Sequence, residues 1–152
     1  MFTKTLLLAV VVMAFSVFAS AQSVSGKIGN GTVTKGGATR ATVILNIPGG
    51  LHVNSSRPGS EYAIPTTVKA SGAGVRVSAV SYPRGRNRKF SFSENTINVY
   101  EGRATFSFNV TVPATFKGRS VSVNVAVRYQ ACTGEVCYAP KTKNVTLTAQ
   151  VK

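Results

Sequence analysis

The chain has 152 residues, of which 18 are Lys or Arg, 4 are acidic and 1 is His, so its formal net charge is +14 and its pI is near 10.5. All four acids are Glu, and the absence of Asp excludes an Asp–His relay or a cage of aspartates around a metal. Its 43% hydrophobic and 14% charged residues are typical of a globular chain of one ordinary domain, not of a disordered one.

The N-terminal segment has the three parts of a secretory signal peptide. Lys4 precedes an apolar run over Leu6–Phe18, and the small residues Ala19-Ser20-Ala21 follow. The apolar run is shorter than the about 20 residues that span a bilayer. We therefore expect a signal peptide over residues 1–21, cleavage near Ala21, and an exported domain over residues 22–152.

Several later segments alternate apolar and polar residues with period two, which predicts strands with one buried face. Four alternate strongly: Thr42–Ile47, Arg103–Val112, Ser120–Gln130 and Asn144–Val151. Shorter candidates are Val24–Ile28, Thr66–Ala70, Val75–Val80 and Thr96–Tyr100. No window has a helical stripe, and Gly, Pro, Asn and Ser clusters separate the segments. The pattern predicts an all-β protein, an antiparallel β-sandwich of about seven to nine strands.

Two cysteines flank a tight turn after the third strongly alternating segment. Cys132 ends that segment, Thr133-Gly134-Glu135 forms the turn and Cys137 begins the return, so the two sulfurs can come within disulfide distance. Three interpretations stay open on spacing alone: a redox-active pair, a structural staple and a metal site. A staple of this size contributes only about 2 kcal/mol. A structural zinc site needs four ligands, and only His52, distant in sequence, could add to the two thiolates.

Three groups of residues resemble one family, the N-terminal periplasmic domain of the thiol:disulfide interchange protein DsbD. The cysteine block Tyr129-Gln130-Ala131-Cys132 with Cys137-Tyr138-Ala139-Pro140 resembles its redox motif. The other blocks are Leu51–Pro58 with Tyr62–Thr67, and Tyr82–Gly85 with Val99–Gly102. Together they extend from Gly50 to Pro140.

The resemblance implies an immunoglobulin-like sandwich in which Cys132 and Cys137 are a redox-active pair that needs no other cofactor and no metal. It implies a periplasmic protein with a reductase-type exchange activity on protein disulfides. The implied partners are thioredoxin-like redox proteins and a membrane electron-transfer protein. It also implies a cap loop over Arg88–Asn95, with Phe90 or Phe92 covering the sulfurs and Glu94 as the nearby acid.

The sequence departs from the family at several points. Four residues separate the cysteines instead of five, and His52 and Asn54 fall where members have tyrosines. The chain has neither the membrane domain nor the thioredoxin-like domain of the full protein, so we expect it to work with separate proteins.

The other candidate residues each have a functional and a structural interpretation. His52, Glu135 and Tyr138 are candidates for proton relay or contacts at the site, but also fit structural or exposed positions. The basic cluster of Arg84, Arg86, Arg88 and Lys89 fits contact with an acidic partner or an anionic lipid surface, or a solvated loop. We expect a monomer that binds no specific nucleic acid.

Two functions remain after the sequence is considered. The first is an exported thiol–disulfide exchange module that passes reducing equivalents between thioredoxin-like proteins. The second is a non-catalytic immunoglobulin-like binding or structural domain, stapled by a Cys132–Cys137 disulfide.

Overall fold

A computed structural model describes residues 21–152, so the predicted signal peptide lies outside the described residues except for Ala21. The strands are β1 (Ser23–Ile28), β2 (Thr32–Val33), β3 (Ala38–Asn46), β4 (His52–Asn54), β5 (Thr67–Ser71), β6 (Arg76–Val77), β7 (Arg86–Arg88), β8 (Ile97–Tyr100), β9 (Arg103–Thr111), β10 (Ser120–Tyr129), β11 (Ala131–Cys132) and β12 (Lys141–Val151). This part of the chain contains no helix that could cross a membrane.

The strands form three four-stranded sheets. The front sheet has the order β1-β3-β9-β6, the back sheet β2-β12-β10-β5, and the end sheet β11-β4-β8-β7. All the strand pairings of the described residues are antiparallel except that of β2 with β12, which is parallel. The all-β immunoglobulin-like sandwich predicted from the sequence is confirmed.

The core lies between the front and back sheets, and its residues are those that the period-two pattern predicts. The buried hydrophobic residues of the four strongly alternating segments are Val43, Leu45 and Ile47; Ala104, Phe106, Phe108, Val110 and Val112; Val121, Val123, Val125, Val127 and Tyr129; Leu147 and Ala149. Phe106 is fully buried, and the rings of Tyr82 and Tyr100 meet it edge-on with centroids 5.6 and 6.0 Å away. These aromatic contacts tie the core to the elements that lead into the end sheet.

The strand count exceeds the seven to nine expected because five of the twelve strands have only two or three residues. Seven strands have four or more residues, which is the length at which alternation becomes visible in a sequence. The predicted strand Val75–Val80 is reduced to Arg76–Val77, and the chain then makes an isolated bridge between Ser81 and Ser107.

Two long sandwich strands continue into the end sheet and fix its position. β10 passes through Gln130 into β11, so the chain leaves the back sheet and enters the end sheet without a loop. On the other side β8 leads into β9 through Gly102, whose φ of 66° lies in the left-handed region that glycine adopts readily. The end sheet is therefore an extension of the sandwich, with β11 and β8 continuous in the chain with β10 and β9.

We expect Phe106→Ala to lower the free energy of unfolding by about 3–5 kcal/mol, because it removes a fully buried ring and leaves a cavity. Urea denaturation measures the loss. The matched control is Thr105→Ala, an exposed neighbour on the same strand, which should stay within about 0.5 kcal/mol of wild type. A loss below 1 kcal/mol in Phe106→Ala would contradict the placement of the core.

Candidate functional site

The two cysteines face each other across a short hairpin and are joined by a disulfide. Their Cα atoms are 4.0 Å apart, and the two residues form an antiparallel bridge. Backbone hydrogen bonds lie on both sides: the Thr133 amide donates to the Val136 carbonyl at 2.8 Å, and the Tyr138 amide donates to Ala131 at 2.9 Å. The Thr133 hydroxyl also accepts the amides of Glu135 and Val136. The hairpin is thus held by its own hydrogen bonds in addition to the disulfide.

The two sulfur-bearing residues differ sharply in exposure. Cys132 lies on β11 inside the end sheet and is 0% exposed, whereas Cys137 lies on the return of the hairpin and is exposed. The described residues contain four exposed large hydrophobic side chains, and two of them, Val136 and Tyr138, flank Cys137. A molecule approaching this disulfide therefore meets Cys137 in an apolar surrounding.

His52 is the cross-strand neighbour of Cys132. β4 pairs with β11 in a register that sets His52 directly opposite Cys132, and such opposite residues have Cβ atoms about 5 Å apart on the same face of the sheet. From the sequence, His52 had either a role at the site or a structural role; 80 positions separate it from Cys132, and the sheet places the two residues side by side. His52 is buried, and its Nε2 has no hydrogen-bond partner among the described residues.

The loop between β7 and β8, which includes most of the predicted cap, stacks aromatic rings beside the disulfide. The Phe90 ring lies parallel to the His52 imidazole with centroids 4.2 Å apart, and Phe92 stacks on Phe90 at 5.2 Å. The Ser91 hydroxyl makes a long contact of 3.5 Å with the carbonyl of Gly134 in the hairpin. The loop thus places Phe90 on His52, the cross-strand neighbour of Cys132, and Cys137 is exposed.

A small cleft of about 160 Å³ lies on the Cys137 side. Phe92 and Tyr62, both exposed, border it together with Cys137. Its polar floor is a pair of side chains that sequence reasoning missed as site residues: Asn54 donates through Nδ2 to Gln130 Oε1 at 3.0 Å, and Gln130 donates through Nε2 to the Tyr138 carbonyl at 3.2 Å. Asn54 lies in the block Leu51–Pro58 and Gln130 lies in the cysteine block, and membership of these blocks was the sequence feature that could have identified them.

The electrostatic environment of His52 is set by burial and by Glu101. Burial lowers the pKa of His52 below its usual value, because the charged ring would lose its hydration, and the negative charge of Glu101 opposes this effect. Arg88 donates to Glu101 Oε2 from Nη2 at 2.7 Å and from Nε at 3.1 Å. This bond lowers the pKa of Glu101, so its carboxylate remains charged. His52 is consequently neutral at neutral pH next to a permanent negative charge.

The other predicted site residues are mostly exposed. Glu135 is exposed inside the hairpin, and Glu94 is exposed in the loop, where its backbone carbonyl accepts a hydrogen bond from Lys89 Nζ. Of the basic cluster, Arg84 and Arg86 are exposed and Arg88 is paired with Glu101. Within residues 21–152 no group of three or more His, Cys, Asp or Glu side chains is placed to hold a metal.

The fold and this hairpin define a class of protein: an immunoglobulin-like domain with a half-exposed disulfide at the end of its sandwich. The family model described as "Thiol:disulfide interchange protein DsbD, N-terminal" matches residues 26–149, and the chain belongs to this family. No protein with a curated description matches the chain.

Two solved structures of similar proteins give the fold comparison. The reduced N-terminal domain of DsbD from Neisseria meningitidis is 19% identical with a TM-score of 0.48, covering 72% of this chain and 77% of that one. The N-terminal periplasmic domain of ScsB from Proteus mirabilis is 12% identical with a TM-score of 0.54. That match covers 85% of this chain but only 46% of the ScsB chain. The similarity to the ScsB domain, with its TM-score of 0.54, supports the fold.

The lowered pKa of His52 predicts a pH dependence of stability. Because its pKa is lower in the folded than in the unfolded protein, the unfolded chain binds more protons as pH falls below about 6.5. The free energy of unfolding should be constant above pH 7 and should fall as the pH is lowered from about 6.5 to the pKa of His52 in the folded protein. Denaturation of the oxidised protein at intervals from pH 8 to pH 5 measures this. His52→Phe should abolish the decline over that window, and a decline that persists unchanged would refute the assignment.

Proposed function

We propose that this domain is an exported, periplasmic thiol–disulfide exchange module that passes reducing equivalents between thioredoxin-like proteins through Cys132 and Cys137. The observation that supports it best is the unequal exposure of the two cysteines. Cys132 is fully buried beside His52, whereas Cys137 is exposed between Val136 and Tyr138. An attacking thiolate needs access to one sulfur along the S–S axis, and this arrangement offers Cys137.

The exchange proceeds in two steps whose electrons balance. The thiolate of a reduced thioredoxin-like protein attacks Sγ of Cys137, the Cys132–Cys137 bond breaks, and Cys132 leaves as a thiolate. The second thiolate of the partner then attacks the mixed disulfide, so the partner is oxidised and the domain holds two reduced cysteines. The reverse sequence, begun by Cys137 on the disulfide of another thioredoxin-like protein, passes the two electrons on.

The surface around Cys137 fits a protein partner. Tyr62, Phe92, Val136 and Tyr138 are 88%, 42%, 54% and 50% exposed, and all four lie at the cleft or flank the reactive cysteine. Exposed apolar side chains clustered in one place mark interaction surfaces. The exposed Arg84 and Arg86 belong to the loop and edge strand on the other side of the end sheet, where they would meet acidic side chains of a partner or an anionic membrane surface.

The alternative, a purely structural staple, has less support from the geometry. A six-residue ring stabilises a protein by about 2 kcal/mol at most, and here the hairpin is already restrained by the hydrogen bonds of Thr133 and Tyr138. Exposure of one of the two cysteines also adds nothing to the stability that a structural disulfide provides. The disulfide potential separates the two: a value well below about −300 mV would favour the staple.

We expect the two single-cysteine variants to behave differently in a trapping experiment. Cys132→Ala leaves the exposed Cys137 and should form a mixed disulfide with a thioredoxin whose own resolving cysteine has been replaced by Ser. Cys137→Ala leaves the buried Cys132 and should form at least tenfold less. The thioredoxin variant is first converted to its thionitrobenzoate mixed disulfide and is then mixed with each reduced domain variant. Non-reducing electrophoresis measures the yield of the domain–thioredoxin disulfide.

Circular dichroism of both variants controls for folding, and alkylation in urea shows that each cysteine is intact. Failure of folded Cys132→Ala to form any mixed disulfide would defeat the proposed exchange function. Equal yields from the two variants would instead contradict the assignment of Cys137 as the sulfur that is attacked.

We expect Phe92→Ala to slow reduction of the disulfide by thioredoxin about tenfold while leaving reduction by dithiothreitol within about twofold of wild type. The exposed ring belongs to the docking surface, and a small thiol needs no docking surface. Phe116→Ala is the matched control, since this half-buried ring lies against Gly74 and Gly118, away from the end sheet. Equal slowing by both reductants would show that Phe92 acts on the disulfide and not on docking.

A further inference from the structure

We propose that His52 is the acid–base partner of Cys132: when the disulfide opens, its buried Nε2 pairs with the released sulfur, and Glu101 stabilises the imidazolium that forms. The proposal rests on the exchange function proposed above and assigns a residue that stabilises the leaving thiolate. It is drawn from a row of side chains across the end sheet: Cys132, His52, Glu101 and Arg88.

Strand pairing, chain order and one side-chain contact link the members of this row. β11 sets Cys132 opposite His52. On the other side β4 pairs with β8 through Val53 and Tyr100, and the next residues along the two chains are His52 and Glu101, whose charge acts on His52. Arg88, on the edge strand β7, donates hydrogen bonds from Nε and Nη2 to the same carboxylate oxygen of Glu101. The row thus runs from the sulfur to the surface.

A buried polar atom without a partner needs an explanation, because leaving it unpaired is costly by about 1–3 kcal/mol. Nε2 of His52 is such an atom among the described residues. In the disulfide form the sulfur of Cys132 is a poor hydrogen-bond acceptor, whereas a thiolate is a strong one. The unpaired nitrogen of the oxidised protein is therefore the partner that the reduced protein requires.

The charged groups around His52 support protonation only after the disulfide opens. Glu101 is the charge that raises the pKa of His52, and burial lowers that pKa by more. Arg86 and Arg88, on β7, lower the pKa of Glu101, whereas the pKa of His52 is shifted by burial and Glu101. The loop residues Lys89 and Glu94 are exposed. A thiolate at Cys132 adds a second negative charge beside the ring, and this shifts the balance towards imidazolium.

The chemical step balances without any further reactant. The partner thiolate forms a bond to Sγ of Cys137, the S–S electron pair goes to Sγ of Cys132, and His52 takes one proton from solvent to give a thiolate–imidazolium pair. Thiolates leave faster when they are stabilised, so the pair speeds the step that the buried position of Cys132 would otherwise slow. His52 acts on the leaving sulfur and makes no contact with the attacking one.

The first test is the titration of His52 in the two redox states. His52 is the single histidine of the sequence, so untagged protein gives one imidazole signal by NMR. We expect its midpoint to lie at least about one pH unit higher in the dithiothreitol-reduced protein than in the oxidised protein. Glu101→Gln should lower both midpoints, and the exposed Glu61→Gln, which removes the same charge elsewhere, should leave both unchanged. Equal midpoints in the two redox states would overturn the proposal.

The second test is the rate of reduction by dithiothreitol between pH 6 and pH 8. His52→Phe retains a ring against Phe90 but lacks the nitrogens, and it should be reduced about tenfold more slowly at pH 7 than wild type. Phe116→Leu, which changes a half-buried ring beside Gly74 and Gly118, keeps His52 and its stack on Phe90, so it should stay within about twofold. Reduction of folded His52→Phe at the wild-type rate would also overturn the proposal.

These two tests use a small reductant and no protein partner, so they are independent of the trapping experiment. If trapping fails while His52 titrates differently in the two redox states, the exchange function is wrong and the His52–Cys132 pair stands. If trapping succeeds while His52 titrates identically in the two redox states, the exchange function stands and the His52–Cys132 pair is wrong.

Discussion

The site depends on the continuity of one strand. β10 is hydrogen-bonded to β12 and β5 in the back sheet, and the same chain passes through Gln130 into β11, where it pairs with β4. Cys132 is therefore held by the core of the sandwich, whereas Cys137 lies beyond the turn, on the exposed return of the hairpin. One cysteine of the disulfide is buried and the other is exposed, and this asymmetry follows from where the sandwich strand ends.

The same constraint gives the aromatic loop its place. β7 and β8 are paired at the far edge of the end sheet, so the loop between them turns back over β4 and lays Phe90 on His52. A stack on a buried ring keeps water away from the Cys132 side of the disulfide. Low water access strengthens the influence of each nearby charge, and this is why a single carboxylate, Glu101, matters for the titration of His52.

The sequence predicts the sandwich well because alternation is a local signal. Phe106, Val123 and Leu147 are buried as the period-two pattern requires, and the turn between the cysteines is evident from Thr133-Gly134-Glu135. Alternation does not predict the neighbours of the disulfide, because those come from pairing between segments far apart in the chain, and the candidates Phe90 and Phe92 came from the family resemblance. His52 looked isolated until β4 was placed beside β11, and no spacing rule connects Glu101 to Arg88. The three-residue strand β4 is also too short to alternate visibly.

The net charge of +14 says little about the chemistry at the disulfide, because the charges are unevenly placed. Three of the four glutamates lie on elements that form the site: Glu135 in the hairpin, Glu94 in the aromatic loop and Glu101 near His52. Exposed charges farther away than about 8 Å are largely screened at physiological ionic strength. The thiolate of Cys132 therefore cannot rely on the general positive field, and a neighbour that can become positive, His52, is what its buried position requires.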